Sequence, residues 1–265
     1  MNTALGKVFL VGAGPGAADL ITVRGAKILE QADIVFHDAL VEPEMLSLCP
    51  QAIQIAVGKR CGKLSSAQEF INKRLVDAAK KYMVVVRLKG GDPMMFGRAD
   101  EEITALKSVG IEVTVVPGIT SALAAASTIQ HSLSLRGVSR SVAFVTLAQA
   151  NDTNLESASI QSPLADTLIY YMGRKHAINI AKSLIDSGNK RPETPVHILE
   201  AVSTSRERHC YLTLSELANG EATSWFNPDS PAMIMIGDAL AQRAIGKVDN
   251  RLQDSEVFTN SRRCA

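Results

Sequence analysis

The first half of this chain alternates short apolar runs with segments of helical periodicity, and that alternation limits the fold more than any other feature. Residues 7–11 (KVFLV) form an apolar run halted by Gly12-Ala13-Gly14-Pro15-Gly16, the pattern of a buried strand emptying into a loop. Over 19–32 the apolar positions Leu20, Ile21, Val23, Ile28 and Leu29 return at helical spacing. Residues 34–37 (IVFH) and 54–57 (QIAV) are strand-like. A helix is predicted over 65–81, with Ser65-Ser66 followed by Gln68-Glu69 in the manner of a capping box. Residues 83–88 (MVVVRL) and 112–116 (EVTVV) complete the series. Strands alternating with helices make a mostly parallel sheet covered on both faces.

Pro117-Gly118 breaks this rhythm, and a small-residue helix, ITSALAAAST, follows. Strands are then expected at 141–146, 167–171, 196–199, 208–214 and 232–236, with one clear helix at 175–187. With so few helices between strands, the second half reads as mixed or antiparallel. The fold class is therefore α/β, in two α/β domains: 1–117 with a mostly parallel sheet, and 118–240 with a mixed one. Residues 241–265 turn polar and are expected to form a disordered tail.

Composition narrows the function classes. Lys and Arg number 28 against 27 Asp and Glu, so no global charge draws the chain to nucleic acid or a membrane surface. Any anion site must be local. Cys49, Cys61, Cys210 and Cys264 are scattered without a C-x-x-C pair, which indicates neither a metal site nor a disulfide framework. The N-terminal apolar run is too short for a signal peptide, and no stretch approaches the roughly 18 apolar residues of a membrane span. A cytoplasmic protein with no membrane and no nucleic-acid partner is expected.

Three loops carry candidate chemistry. Gly12–Gly16 sits where a dinucleotide fingerprint would, but its third glycine comes one residue early and Pro15 has no N–H to offer a pyrophosphate. It reads either as a loop shaped for close backbone approach to a ligand or as a plain strand-to-helix turn. Gly90-Gly91-Asp92-Pro93 follows the next strand; Asp92 can accept from a hydroxyl or amine, and Lys89 and Arg98 suit carboxylates, yet the same residues make an ordinary turn. Thr120-Ser121 places hydroxyls at a helix start, as a ligand contact or as a simple N-cap.

In order, these segments read G-x-G-P-G-x-x-D-L-I-T-x-R-G, H-D-A-L, V-G-K-R, L-K-G-G-D-P-x-x-F-G-R and V-P-G-I-T-S-A. That series resembles the tetrapyrrole (corrin/porphyrin) methylase family, most closely its branch acting on uroporphyrinogen III, over roughly residues 7–240. The resemblance implies two α/β domains with a cofactor cleft between them. It implies S-adenosylmethionine as methyl donor, with S-adenosylhomocysteine as product. Cofactor contacts carried over are Pro15, Gly90, Gly91, Asp92, Met95, Thr120, Ser121, Met172 and Ala201. Asp38 and Lys59 are the acid–base candidates, while Arg98, Glu101 and Arg136 match substrate-holding positions; no metal is implied. The implied reaction is methylation of the small-molecule tetrapyrrole uroporphyrinogen III at carbons 2 and 7, giving precorrin-2 on the way to sirohaem, cobalamin or haem d1. A homodimer is expected, with any dehydrogenase–ferrochelatase a separate chain.

The chain departs from the family pattern where histidines are usual, having Lys63-Leu64, Ser134-Leu135-Arg136 and Thr146-Leu147-Ala148, and Ala99-Asp100 replaces a double glycine. Three other readings stay open: a family member with a different substrate, a non-catalytic S-adenosylmethionine-binding regulator, and a nicotinamide-dependent oxidoreductase. For Asp38, a helix N-cap is as good a reading as a catalytic carboxylate; for Lys59-Arg60, a solvated basic pair.

Overall fold

A computed structural model describes residues 5–57, 64–147 and 161–241. Lys59, and the expected tail beyond residue 241, lie outside the described residues.

Five parallel strands form the first sheet: β1 (Lys7–Gly12), β2 (Ile34–His37), β3 (Ile53–Ala56), β4 (Val84–Lys89) and β5 (Val113–Val116), in the order β3-β2-β4-β1-β5. One face packs on α1 (Val23–Leu29) and α2 (Pro43–Leu46) through Leu29 and Met45. The other packs on α3 (Leu64–Ala79) and α4 (Ala99–Lys107) through Ile71, Leu75 and Leu106. The chain leaves β1 toward one edge and β4 toward the other, so the two neighbouring strands form a switch point. Open parallel sheets bind ligands beyond the carboxyl ends of their strands at such a point.

The second sheet comprises β6 (Val142–Thr146), β7 (Thr167–Tyr171), β8 (Pro195–Glu200), β9 (Arg208–Thr213) and β10 (Ala232–Ile236), in the order β6-β7-β10-β8-β9. Only β6 and β7 pair parallel; the other pairs are antiparallel, which makes the sheet mixed as the sequence indicated. Helix α5 (Ser121–Thr128) covers one face, and α6 (Ala177–Asp186) and α7 (Leu214–Ala218) cover the other.

Several elements differ from the sequence reading for local reasons. The helix expected over 19–32 starts at Val23, because the Thr22 side chain takes the Gly25 N–H and fixes the N-cap there. Helix α3 begins at Leu64, so Ser65 and Ser66 lie inside it, and Gln68 bonds Asn72 and Glu102 instead of closing a capping box. The true capping box is Thr213 with Glu216, which starts α7. Helix α4 carries no readable apolar stripe, since one of its three inward positions, Ala99, Glu102 and Leu106, is a carboxylate.

Three histidines gather where the chain leaves the second sheet. His197, 2% exposed, lies against Leu240 O through Nε2 (2.9 Å), so Nδ1 is free to accept from His209 Nε2 (2.8 Å). Burial, reinforced by His209 and His131 and opposed by the Leu240 carbonyl, pushes the His197 pKa down to about 4. The unfolded chain therefore binds the extra proton first, and stability falls as pH drops from 6.5 toward 4. Between pH 7.5 and 4, urea titration of the wild type should lose on the order of 3 kcal/mol more than His197→Gln does. Parallel pH profiles for the two proteins would refute this.

Candidate active site

Three backbones meet at the switch point. Beyond β1 and β4 the two glycine loops continue the ladder: Ala13 N donates to Lys89 O (2.8 Å), Gly14 N to Gly91 O (3.1 Å) and Gly91 N to Gly14 O (2.7 Å). The segment after β5 closes over them. A Cβ on Gly12 would sit 2.6 Å from the Gly118 backbone, and one on Gly118 only 2.3 Å from Gly91 O. No side chain fits at either position. Gly91 adopts φ +68°, and on its Cβ side the nearest atom is Thr120 Cα at 4.0 Å, which leaves a gap for a ligand to approach backbone.

Asp92 clamps this junction. Its Oδ1 accepts from Met94 N (2.8 Å) and its Oδ2 from Gly118 N (2.9 Å), so the turn after β4 is tied to the link between the sheets. An isolated turn would not make the second bond. Met95 N donates back to Asp92 O (3.2 Å), which places Met95, half-buried, on the same turn.

The opposite wall comes from the second sheet. Thr120 is the N-cap residue of α5 but makes no capping bond; its hydroxyl meets Tyr171 Oη at 2.6 Å. Burial raises the Tyr171 pKa, opposed by the hydrogen bond with Thr120. The Thr120 hydroxyl thus turns to the phenol at the end of β7 rather than to a helix N–H. Phe96 lies edge-on to the Tyr171 ring at 5.1 Å. Met172 (φ 57°) and Ala201 (φ 48°) turn the chain sharply just past β7 and β8; Met172 is exposed and Ala201 buried. Loop 12–16 reaches across to Ala201's neighbours: a Cβ on Gly16 would be 2.6 Å from the Thr204 methyl, and Ala17 N donates to Ser203 Oγ (3.3 Å). Pro15 lies between Gly14, on the ladder with Gly91, and Gly16. The structure therefore gathers the expected cofactor residues around the carboxyl ends of β1, β4, β5, β7 and β8.

Asp38 follows β2, beside the Gly90 turn. Its Oδ1 accepts from Leu40 N (3.1 Å) and its Oδ2 from Gly90 N (3.4 Å). The next helix starts at Pro43 with Glu42 as its N-cap, so Asp38 caps no helix. It is part-exposed and faces Arg87 Nη2 at 3.7 Å. Arg98 and Glu101 form a two-bond fork, Nε–Oε1 2.7 Å and Nη2–Oε2 2.8 Å, and this bonding lowers the Glu101 pKa. Arg136 is exposed at the tip of a tight turn closed by Leu135 and Ser139. Lys89, read from the sequence as a carboxylate ligand, is 4% exposed and bonded to Glu102, so it is not available to a substrate.

Sequence reasoning missed Tyr171, Phe96, Arg87 and Glu102. The visible signal for Arg87 was a charge inside the apolar run MVVVRL; Glu102 gave none, lying in the acidic run Asp100-Glu101-Glu102.

The model of the Tetrapyrrole (Corrin/Porphyrin) Methylases matches residues 7–218. The chain belongs to the tetrapyrrole methylases. This methylase is 40% identical to a uroporphyrinogen-III C-methyltransferase of Methanocaldococcus jannaschii, over 89% of its own length and 97% of that protein's. It is also 40% identical to a siroheme synthase of a Psychrobacter species over 89% of its length, but it spans only 48% of that protein. A crystal structure of the Thermus thermophilus uroporphyrin-III C-methyltransferase with S-adenyl homocysteine superposes with a TM-score of 0.73 at 33% identity, covering 89% of this chain and 99% of the other.

The glycine junction of the methylase gives a direct test. Gly118→Ala should destabilise the fold by about 1–3 kcal/mol through overpacking, and should weaken S-adenosylhomocysteine binding by displacing Gly91. Unchanged urea midpoint and unchanged calorimetric affinity would show that the junction has slack.

Proposed function

We propose that this methylase transfers methyl groups from S-adenosylmethionine to carbons 2 and 7 of uroporphyrinogen III, giving precorrin-2. The observation that carries the proposal is the near full-length match to the M. jannaschii uroporphyrinogen-III C-methyltransferase. The site chemistry supports it, since the open space beside Gly91 lets a ligand approach backbone groups, which fits the amino-acid end of such a donor. When bound, S-adenosylmethionine supplies an electrophilic methyl group.

The chain's own residues do the rest. Pro15, Gly90, Gly91, Asp92, Met95, Thr120, Ser121, Met172 and Ala201 hold the donor between the two sheets. Exposed Leu40, Phe96 and Met172 offer apolar contact to the macrocycle. Arg98 and Arg136 bind its carboxylates, and Glu101 orients Arg98 through the fork. Attack by a pyrrole carbon leaves the ring system with a proton to lose; Asp38 and Lys59 accept and relay it. The two units divide at residues 117/118. The chain works in the cytoplasm as a homodimer without nucleic-acid partners. Among the described residues no helix is long and apolar enough to cross a membrane.

An anaerobic assay with labelled S-adenosylmethionine and uroporphyrinogen III, with products identified by mass, tests the reaction; no dimethylated product would defeat the reading. In the same assay Asp38→Asn should lower kcat by roughly 10²–10⁴ while leaving S-adenosylmethionine affinity intact. Wild-type turnover in that variant would remove Asp38 from the chemistry. Arg136→Ala should raise KM for the macrocycle by about ten- to a hundredfold, the loss of one charge-assisted hydrogen bond, with KM for S-adenosylmethionine unchanged. Equal weakening of both ligands would place Arg136 in the donor pocket instead.

A further inference from the structure

Beneath the cleft lies a group of charges that the reaction scheme above does not use. Arg87 and Lys89 point from β4 toward α3 and α4, where the strand otherwise presents Val85 to the core. Both side chains are 5% exposed, and Glu102, fully buried on α4, takes both: Oε1 from Arg87 Nε at 3.1 Å and Oε2 from Lys89 Nζ at 3.0 Å. Gln68 Nε2 adds a 3.3 Å bond to Oε1. Two cations against one carboxylate leave a buried positive charge, and burial with Arg87 as neighbour lowers the Lys89 pKa. The fourth member that balances the group is Asp38.

Arg87 is fixed by three hydrogen bonds. Nε goes to Glu102, while Nη1 donates to Leu88 O (3.0 Å) and Phe36 O (3.4 Å), which leaves Nη2 facing Asp38 Oδ2. Apolar residues of similar volume on this face would avoid the desolvation cost, and buried ion groups give little stability in return. What the group does provide is a rigid guanidinium aimed at one carboxylate.

We propose that Glu102 and Arg87 are positioning residues for the Asp38 carboxylate: Glu102 locks the guanidinium, and the guanidinium, with the Gly90 N–H, holds Oδ2 at the cleft. This rests on Asp38 being the acid–base group of the methyl transfer. Neither residue touches the cleft, so both act through Asp38.

The test is a double-mutant cycle on the full chain in the anaerobic uroporphyrinogen III assay. Glu102→Gln should lower kcat roughly 10- to 100-fold, the cost of misplacing a catalytic group, with S-adenosylhomocysteine affinity unchanged. In an Asp38→Asn background the same change should cost less than about twofold, because the group it positions is gone. Arg87→Lys, which keeps the charge balance but loses the fork, covers the case in which Glu102→Gln fails to fold, and should behave alike. A second readout needs no turnover: the Leu40 and Gly90 amides, which donate to Asp38, should exchange with solvent at least about tenfold faster in both variants, while the Asp33-bound Val84 amide keeps its rate. Equal losses in the wild-type and Asp38→Asn backgrounds, or unchanged Leu40 and Gly90 exchange, overturn the positioning role. A fully active Asp38→Asn enzyme overturns it by a different route, by removing the catalytic role on which it rests.

Discussion

The close approach of three backbone segments at Gly12, Gly91 and Gly118 is the constraint on which the site depends. The missing Cβ positions of Gly12 and Gly118 are occupied by neighbouring backbone, while that of Gly91 stays open, so the ends of β1, β4 and β5 come closer than side chains permit. Asp92 then bonds the junction from inside by accepting from Gly118 N. Because residues 117–118 also lead into α5, the same contact sets where Thr120 and Ser121 stand relative to the Gly90–Asp92 turn. The second sheet answers through Tyr171, whose phenol meets the Thr120 hydroxyl and whose ring meets Phe96. A backbone contact in the first sheet and a phenol from the second thus define the two walls of one cleft.

Polar groups are used differently on the two sides of this cleft. On the first-sheet side a balanced set of buried charges, Arg87, Lys89, Glu102 and Asp38, ends at the only member open to solvent, Asp38. On the α5 face of the second sheet the His197–His209 pair holds the departing chain at Leu240. The first arrangement keeps ionised groups in the interior by pairing them; the second keeps an ionisable group uncharged by burying it. Both choices exclude water from the packed layers while leaving the strand ends accessible.

Much of this was legible in the chain itself. The strand–glycine–helix alternation specified a parallel first sheet, because strands buried on both faces and separated by helices have few other solutions. The ordered loops specified the family. Helix ends were less legible, because they depend on which single side chain takes a free N–H: Thr22 shortened one helix and Thr213 with Glu216 created another.

What the sequence could not decide were choices between two uses of one residue. Asp38 reads equally as a cap or as a cleft carboxylate, and only the start of α2 at Pro43 separates them. Lys89 reads as a ligand for substrate carboxylates until α4 brings Glu102 against it. Arg87 looks like an interruption in a strand, and Glu102 like one of three surface acids, until the sheet and helix pack and join them. The reason is physical: local periodicity and turn chemistry act over a few neighbouring residues, so the sequence determined the elements and the glycine loops. Charge pairing and burial depend on residues distant in the chain, Asp38 with Arg87 and Arg87 with Glu102, so their roles were decided only when the tertiary structure closed.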